Sequence, residues 1–452
     1  MVIAGVPVGG LSRQDAADRL NQVYSSPIEL RYQDAAIQIN PASLGFGMDV
    51  DSMLAVADSK HVDRPFVTGF WAYLWGNLPV SDEIPLSATI SDRVIKDYLQ
   101  TEIIPRYVQP PSPAMPIPGS PIFSSGNPGF TLDMDRSVSL IIGALESPTP
   151  RVVNLPYNHA GLTRPSLSIL STMLKQVIDV DGYDGLSEIY IKELSSGNEL
   201  SFAYRKGQEL PPVIAFTAAS TIKIPVMVTT YRRVTEPTPQ NVADQLELMI
   251  RYSGNSPADQ LLQNVVDRNL GPLTVTSDMK ALGLENTFFA GYFYAGAPLL
   301  RRIKTPANSR TDINTGPDVY NQTTPTELGM LLEDIYDCSE YGGGAFMVVF
   351  DGEITQSECK KMVSLMASDR IGVLIQGGLP DGSRNAHKHG WLVESDGLIH
   401  TIGDAAIVYS PGGDYILSIF MNHPDQLVWD SANLLFAKLS MAVYGYFNLY
   451  QK

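Results

Sequence analysis

The sequence of 452 residues has little cysteine, no run of basic residues and no apolar stretch of the length that a bilayer crossing needs. A formal net charge of −16 argues against nucleic acid or an anionic membrane surface as a partner. No segment has the composition of a disordered region. What remains is a globular chain, 44% hydrophobic, that is long enough for two or three domains with sizeable cores.

The only cysteines are Cys338 and Cys359, which are too few for a disulfide-rich scaffold or a zinc site. They accompany two segments with helical patterns, residues 325–336 and 355–366, which a glycine-rich loop joins. Antiparallel helices joined in this way would bring the end of the first close to the start of the second. A single disulfide in an oxidising compartment and two buried free thiols both fit this arrangement.

The first residues, Met1-Val2-Ile3-Ala4-Gly5, start the chain abruptly and do not form a signal peptide. We therefore expect a secretion signal or a membrane anchor upstream of them. This expectation places the protein outside the cytoplasm, either secreted or anchored to the cell envelope. Contact with a membrane is expected only through such an anchor.

Residues 1–162 combine short strand and helix patterns, which predict an α+β domain. Ser12 is a good N-cap for the first helix, and residues 28–32 and 36–39 alternate as strands do. The proline-rich residues 109–121 are expected to be extended and exposed.

Four short motifs in this region resemble the YoaR-like domain, which is often described as peptidoglycan-binding and which precedes other cell-wall domains. The motifs are Val8-Gly9-Gly10-Leu11-Ser12, Leu44-Gly45-Phe46, Gly129-Phe130-Thr131-Leu132-Asp133 and Val153-Asn154-Leu155-Pro156. The resemblance covers roughly residues 1–160 and implies a role at the cell wall. Because the motifs nominate no ligand contact, a spacer that holds the next domain away from a membrane is an equal alternative.

Residues 163–452 have a different pattern. An amphipathic helix at residues 165–180 precedes a strand at 186–193, and further strands are predicted at 397–409 and 415–422. Helices and antiparallel strands near both ends of this region predict an α/β domain. Its antiparallel sheet is flanked by helices and built from distant parts of the chain.

Ser220 and Lys223 stand where a turn of small residues enters an apolar helix. Three residues make almost one helical turn, so the two side chains lie on the same face and can meet. A serine hydroxyl becomes a nucleophile when a base takes its proton. A lysine can be that base if burial and nearby positive charge lower its pKa. The pair alone is a weak signal, because a helix start with a solvated lysine has the same pattern.

Two further motifs strengthen this signal: Ser253-Gly254-Asn255 at the end of an apolar helix, and Lys388-His389-Gly390 before a strand. Together with Ser220 and Lys223, their order resembles that of the class A β-lactamase and penicillin-binding protein superfamily. Gly254 and His389 replace the usual aspartate and the usual threonine or serine. The resemblance covers about residues 165–452 and implies a β-lactamase-like α/β domain with a helical subdomain.

The resemblance implies a role for each motif residue. Ser220 would attack a carbonyl or lactam carbon, and Lys223 would be its general base or would relay the proton through a water molecule. Ser253 would pass a proton to the departing nitrogen, held in place by Lys388, whose charge would attract a substrate carboxylate. Asn255 would orient Lys223 and hydrogen-bond the amide side chain of the substrate.

The Lys-x-Gly strand carries three further candidates. The backbone N–H groups of Ser220 and Trp391, which follows Gly390, would form the oxyanion hole. His389 would contact the substrate carboxylate if it reached the cleft, although neighbours on a strand point to opposite faces. His387 is expected to be structural for the same reason. His387 and His389 have a spacing that metal ligands use, but no third ligand is evident, so neither a metal nor a cofactor is expected.

Deacylation is the step for which the sequence offers the fewest candidate residues. Class A enzymes activate water with a loop glutamate, and the matching interval here, residues 308–321, contains none. Asp312 is a candidate for that role because it follows an arginine as the family's acid does, and Asp318 is the other acid in the interval.

The predicted function is serine acyl transfer through a Ser220 acyl-enzyme, on a β-lactam or a peptidoglycan-type amide. One alternative is a D,D-peptidase or slow esterase with little β-lactam turnover. Another, from a different class, is a catalytically idle wall-binding protein that retains the motifs.

Overall fold

The computed structural model describes residues 1–62, 70–71, 74–75, 83–160, 164–369, 371 and 373–450. The chain forms two compact units. One consists of Met1–Ser112 and Gly126–Leu162, and the other of Pro113–Ser125 and Thr163–Lys452. The boundary predicted between residues 162 and 163 lies outside the described residues.

The N-terminal unit mixes short strands and helices around two apolar clusters, as an α+β domain does. Its strands are Val2–Ile3 (β1), Val6–Pro7 (β2), Ile28–Tyr32 (β3), Ala35–Ile39 (β4), Gly47–Met48 (β5), Glu83–Ile84 (β6) and Ala88–Thr89 (β7). Its helices are Arg13–Tyr24 (α1), Val50–Val62 (α2), Asp92–Tyr98 (α3), Ile104–Tyr107 (α4) and Met134–Glu146 (α5). Ser12 caps α1 as predicted, since its side chain accepts a hydrogen bond from the backbone N–H of Asp15.

Part of the proline-rich segment pairs with the residues that follow it. Met115–Pro116 (β8) and Phe123–Ser124 (β9) pair as a hairpin that belongs to the C-terminal unit. Ala114 is fully buried, and the ring of Phe123 packs 6.1 Å from that of Tyr446. Residues 109–121 are therefore extended and largely exposed, as predicted: Met115 and Ile117 stay on the surface, and Ala114 is the one fully buried residue among them. The strands Gly129–Leu132 (β10), Val152–Asn154 (β11) and Tyr157–Ala160 (β12) complete the N-terminal unit.

The C-terminal unit is built on a six-stranded antiparallel sheet. Its strands are Leu186–Glu193 (β13), Glu199–Arg205 (β14), Gln208–Leu210 (β15), Arg384–Trp391 (β19), Thr401–Tyr409 (β20) and Tyr415–Asn422 (β21). Their order across the sheet is β15-β14-β13-β21-β20-β19. A second, small sheet contains Phe216–Thr217 (β16), Phe288–Phe289 (β17) and Asn321–Thr323 (β18). The sheet joins distant parts of the chain, which confirms the predicted fold class.

Helices cover both faces of the large sheet. They are Leu167–Val180 (α6), Lys223–Tyr231 (α7), Gln240–Arg251 (α8), Asn255–Leu261 (α9), Gly271–Ala281 (α10), Pro325–Tyr341 (α11), Ala345–Val349 (α12), Gln356–Met366 (α13) and Trp429–Phe447 (α14). Alternate side chains of β13 point to opposite faces of the sheet. Ile189 and Ile191 pack with α6 and α14, whereas Tyr190 packs with α11. None of the described helices is both long and apolar enough to cross a membrane.

Cys338 on α11 and Cys359 on α13 form a disulfide, with their Cα atoms 5.9 Å apart. The structure thus decides between the two states that the sequence left open. The bond joins two helices of the layer that packs against the sheet, and both residues are fully buried.

Candidate active site

Ser220 lies in a 3-10 turn, Ala219–Ile222, between β16 and α7. Ala219 has a φ of +48°, a left-handed conformation that a non-glycine residue rarely adopts. The turn is held by Thr221, whose backbone N–H and hydroxyl both donate to the carbonyl oxygen of Ala218. The serine is therefore presented on a tight, constrained bend instead of on a regular helix.

Lys223 is the first residue of α7, and its side chain is fully buried. Its Nζ lies 2.9 Å from Ser220 Oγ, 2.7 Å from the carbonyl oxygen of Ser253 and 2.8 Å from Asn255 Oδ1. Ser253 Oγ is 3.3 Å from the same nitrogen. The structure thus brings together four residues that the motifs predicted, from three separate elements.

The charge state of Lys223 follows from its surroundings. Burial, and then the positive charge of Lys388, lower the pKa of Lys223 to about 7, although Asp259 opposes this effect. A neutral amine has two N–H groups and one lone pair. It can donate to the oxygens of Ser253 and Asn255 and accept from the hydroxyl of Ser220. The arrangement therefore suits a base that takes the serine proton.

Ser253 follows α8 in a left-handed conformation, with a φ of +57°. Gly254 comes next, and a Cβ at this position would lie 2.9 Å from the ring of Pro257 and 3.2 Å from the carbonyl oxygen of Leu248. A glycine therefore fits where the family usually has aspartate. The strained bend turns the carbonyl oxygen of Ser253 toward Lys223.

Gly390 on β19 packs directly against the turn that carries Ser220. A Cβ here would lie 2.7 Å from the backbone nitrogen of Ser220 and 2.8 Å from the carbonyl oxygen of Ala218. Only a residue without a side chain allows the strand to approach the turn so closely.

Lys388 departs from the expectation. Its amine is buried and makes no hydrogen bond among the described residues, so it does not hold the hydroxyl of Ser253 directly. It lies 3.7 Å from Asp369 Oδ2 instead. Burial lowers the pKa of Lys388, against the opposing effect of the Asp369 and Asp404 carboxylates. Its charge acts on the site through its effect on Lys223.

His389 does not reach the cleft, which corrects its assignment as a substrate contact. It is 1% exposed, and its Nε2 lies 3.2 Å from Asp369 Oδ2. His387 is buried beside Asp404, 3.1 Å away, as expected for a structural residue. The cause is strand alternation: the two histidines and Trp391 share one face of β19, on which the rings of His389 and Trp391 are 4.8 Å apart.

A cavity of about 390 Å³ opens beside Ser220. Six of its fourteen lining residues are aromatic. Its lining includes Ser220, Asn255, Phe289, Tyr292, Phe293, Tyr294, Asp318, Tyr320, Asn321 and Trp391. The predicted oxyanion-hole residues, Ser220 and Trp391, therefore face the same space.

Residues 239–447 match the sequence model of a family described as the Beta-lactamase enzyme family. This segment is a β-lactamase-family domain. It contains Ser253, Asn255 and Lys388. Ser220 and Lys223 precede the matched range, and they belong to the same site because Lys223 contacts Ser220, Ser253 and Asn255. The match and the site together make the C-terminal unit a serine hydrolase of the class A β-lactamase-like superfamily.

Several solved structures resemble the β-lactamase-family unit. PBP-A is 20% identical over 63% of this chain and 99% of its own, with a TM-score of 0.45. A β-lactamase from Xanthomonas campestris is 16% identical over 61% of this chain and 96% of its own, with a TM-score of 0.43. One from Desulfarculus baarsii is 15% identical over 62% and 97%, with a TM-score of 0.45. No curated protein matches the sequence.

Asp312 does not lie in the cavity of the β-lactamase-family domain, which contradicts its candidacy as the water-activating acid. Its side chain is 55% exposed and forms an ion pair of 2.6 Å with Arg310, which lowers the pKa of Asp312. The carboxylate that does line the cavity belongs to Asp318. The sequence shows Asp318 and Asn321 just before Thr324-Pro325, but only the pairing of β18 with β16 and β17 turns them toward Ser220.

Proposed function

We propose that the β-lactamase-family domain catalyses serine acyl transfer on an amide, either a β-lactam or a peptidoglycan-type peptide, through an acyl-enzyme at Ser220. The observation that carries the proposal is the 2.9 Å contact between Ser220 Oγ and the amine of Lys223. Because the pKa of Lys223 is lowered to about 7, a large share of this amine is free to accept a proton near neutral pH.

The contacts support a sequence of proton transfers. Lys223 takes the hydroxyl proton of Ser220 as Oγ bonds to the carbonyl carbon. The carbon–nitrogen bond then breaks, and the Ser253 hydroxyl, 3.3 Å from Lys223 Nζ, gives a proton to the departing nitrogen. The protonated Lys223 amine replaces that proton. The backbone N–H groups of Ser220 and Trp391 are proposed to stabilise the oxyanion.

The acyl-enzyme is proposed to be long-lived. Asp312 lies outside the cavity, and the described lining contains no glutamate. The carboxylate that does line the cavity, Asp318, has a shorter side chain than the family's glutamate, so we expect the acyl group to leave Ser220 slowly. The domain then resembles a penicillin-binding D,D-peptidase or slow esterase more closely than an efficient β-lactamase.

Labelling with a fluorescent penicillin tests the proposal. We expect wild-type protein to carry one covalent label on Ser220, detected by intact mass and peptide mapping, and S220A to carry none. A label that survives a chase with unlabelled penicillin for many minutes supports the peptidase-like case, whereas rapid release indicates a β-lactamase. Wild-type protein that takes no label, and that also fails to hydrolyse simple esters and thioesters, contradicts the proposal and favours an idle binder.

The protein is further proposed to work outside the cytoplasm, at the cell wall. The disulfide between Cys338 and Cys359 supports this, because such bonds persist in oxidising compartments. The N-terminal unit is proposed to bind peptidoglycan, with a spacer as the alternative. Co-sedimentation of the S220A chain with purified peptidoglycan tests this without interference from acylation, and failure to co-sediment favours the spacer.

A further inference from the structure

One buried hydrogen-bond acceptor in the lining of the cavity beside Ser220 has no partner among the described residues. Asn321 is 6% exposed, and its Oδ1 has no hydrogen-bond partner among the described residues. Its Nδ2 lies 3.3 Å from Asp318 Oδ2. An amide nitrogen donates to a carboxylate and an amide oxygen cannot, so this contact fixes which end of the Asn321 side chain is left free.

Asp318 is the only charged side chain in the described lining of the cavity, and it pairs with no cation among the described residues. Its Oδ1 accepts from the backbone N–H of Tyr320 at 2.9 Å. Each carboxylate oxygen retains a free lone pair after these contacts. Burial raises the pKa of Asp318, against the opposing effect of that backbone bond.

The aromatic wall offers ring surfaces and few donors. The hydroxyl of Tyr320 donates to the carbonyl oxygen of Ala297 at 3.0 Å. The hydroxyl of Tyr292 is engaged by carbonyl oxygens, including that of Arg268 at 3.3 Å. The rings of Tyr292 and Tyr294 stack 5.8 Å apart. The tyrosines thus bring π surfaces to the cavity while two of their hydroxyls are occupied elsewhere.

An unpaired carboxylate, an unsatisfied amide oxygen and several aromatic rings are complementary to one kind of group, a cationic donor. We propose that Asp318 and Asn321 form a subsite that binds the protonated primary amine of the acyl substrate. This inference rests on the proposed function, because it places the amine beside the serine that is acylated. The domain would therefore select acyl donors with an ammonium group over neutral donors of the same shape.

A pair of small probes tests the subsite without any need for acylation. Benzylammonium and benzyl alcohol have similar shapes and differ in charge, and NMR titration gives the affinity of the full chain for each. In about 0.5 M NaCl, where the Debye length is only about 4 Å, long-range charge contributes little. We expect wild-type protein to bind the ammonium at least about fivefold more tightly.

Matched variants test which residues cause the preference for benzylammonium over benzyl alcohol. D318N should reduce the ratio of the two affinities to below about twofold, and N321L should reduce it in the same direction. D312N removes the same charge six residues away, from an exposed side chain outside the cavity, and should retain the wild-type ratio. Because N321L and D318N change different residues, poor folding of one leaves the other as the test.

Two results overturn the inference. One is a wild-type protein that binds the two probes equally. The other is a D318N protein that keeps the ammonium preference but releases the penicillin label more slowly, which would assign Asp318 to water activation instead. Failure of penicillin to label Ser220, together with no hydrolysis of esters and thioesters, would contradict only the proposed function, because the probe titration does not depend on the acyl-enzyme.

Discussion

At the residue scale, the chemistry of the site depends on the charge of one amine. Lys223 has opposite charges near it: Lys388 lowers its pKa and Asp259 raises it. Asp259 is anchored independently, because it accepts the backbone N–H of Phe293 at 2.9 Å. The two neighbours can therefore be changed separately, in opposite directions.

The first prediction concerns the pH dependence of acylation. Since the reacting form of Lys223 is the neutral amine, the rate should rise as the pH increases through about 7 and level off above it. K388M removes a positive charge, raises the pKa of Lys223 and should move the rising limb to higher pH. D259N removes a negative charge and should move it to lower pH.

Stopped-flow labelling with fluorescent penicillin at a series of pH values measures the rising limb of the acylation rate in each protein. At about pH 6.5 we expect K388M to acylate roughly three- to tenfold more slowly than wild type. A general loss of rate with an unmoved limb would mean that Lys388 acts only on the substrate. Limbs that shift in the same direction in both variants would contradict the electrostatic account.

The second prediction concerns Gly390. G390A places a methyl group 2.7 Å from the backbone nitrogen of Ser220, so the Ala219–Ile222 turn must move. We expect the acylation rate to fall at least about tenfold and the stability to fall by about 1–3 kcal/mol. G445A is a matched control in the same unit, since a Cβ on Gly445 meets no heavy atom within 4 Å.

G445A should acylate at the wild-type rate and should not lower the melting temperature. A G390A protein with wild-type acylation would show that the turn tolerates displacement. In that case the close packing of β19 on the turn would have no part in the reaction.

At the element scale, the sequence predicts individual helices and strands better than it predicts the contacts between them. The helix that begins near Lys223, strands β13 and β21, and α14 all follow from hydrophobic periodicity and turn residues. The ordered motifs likewise predict Ser220, Lys223, Ser253 and Asn255 as neighbours. Local pattern succeeds here because each motif spans only three or four consecutive residues, and the family's motif order indicates which motifs meet.

Predictions fail where a residue's role depends on what a second element brings to it. His389 follows Lys388 in the chain but lies on the other face of β19, against Trp391. The amine of Lys388 approaches Asp369, from the segment after α13, rather than the hydroxyl of Ser253. Asp318 was one of two acids in its interval, and only the small sheet of β16, β17 and β18 selects it.

The disulfide between α11 and α13 gives the third prediction. The bond closes a loop with a sequence separation of 21 residues. A closed loop of this size restricts the unfolded chain, so the C338A/C359A variant should lose about 2–4 kcal/mol of stability. The urea midpoint measures the change, with and without a reducing agent.

The reductant supplies the control for this experiment. It should lower the midpoint of the wild-type protein and leave that of the double variant unchanged. If the two proteins have equal midpoints under oxidising conditions, the bond adds nothing to the packing of the two helices.

At the scale of the whole molecule, the net charge of −16 acts on every ligand that approaches. Penicillins carry a carboxylate, and long-range repulsion should slow their encounter at low salt. The last prediction is that acylation by penicillin becomes about two- to threefold faster between low salt and about 0.5 M NaCl, as screening removes the repulsion.

Hydrolysis of uncharged p-nitrophenyl acetate is the control and should change little with salt. If penicillin labelling instead slows as salt rises, the positive charge of Lys388 dominates the approach. That outcome would mean that the cleft reverses the sign of the surrounding field. The same salt dependence separates a long-range effect from the Asp318 subsite, because a direct ion pair in the cavity is screened much less than the overall charge.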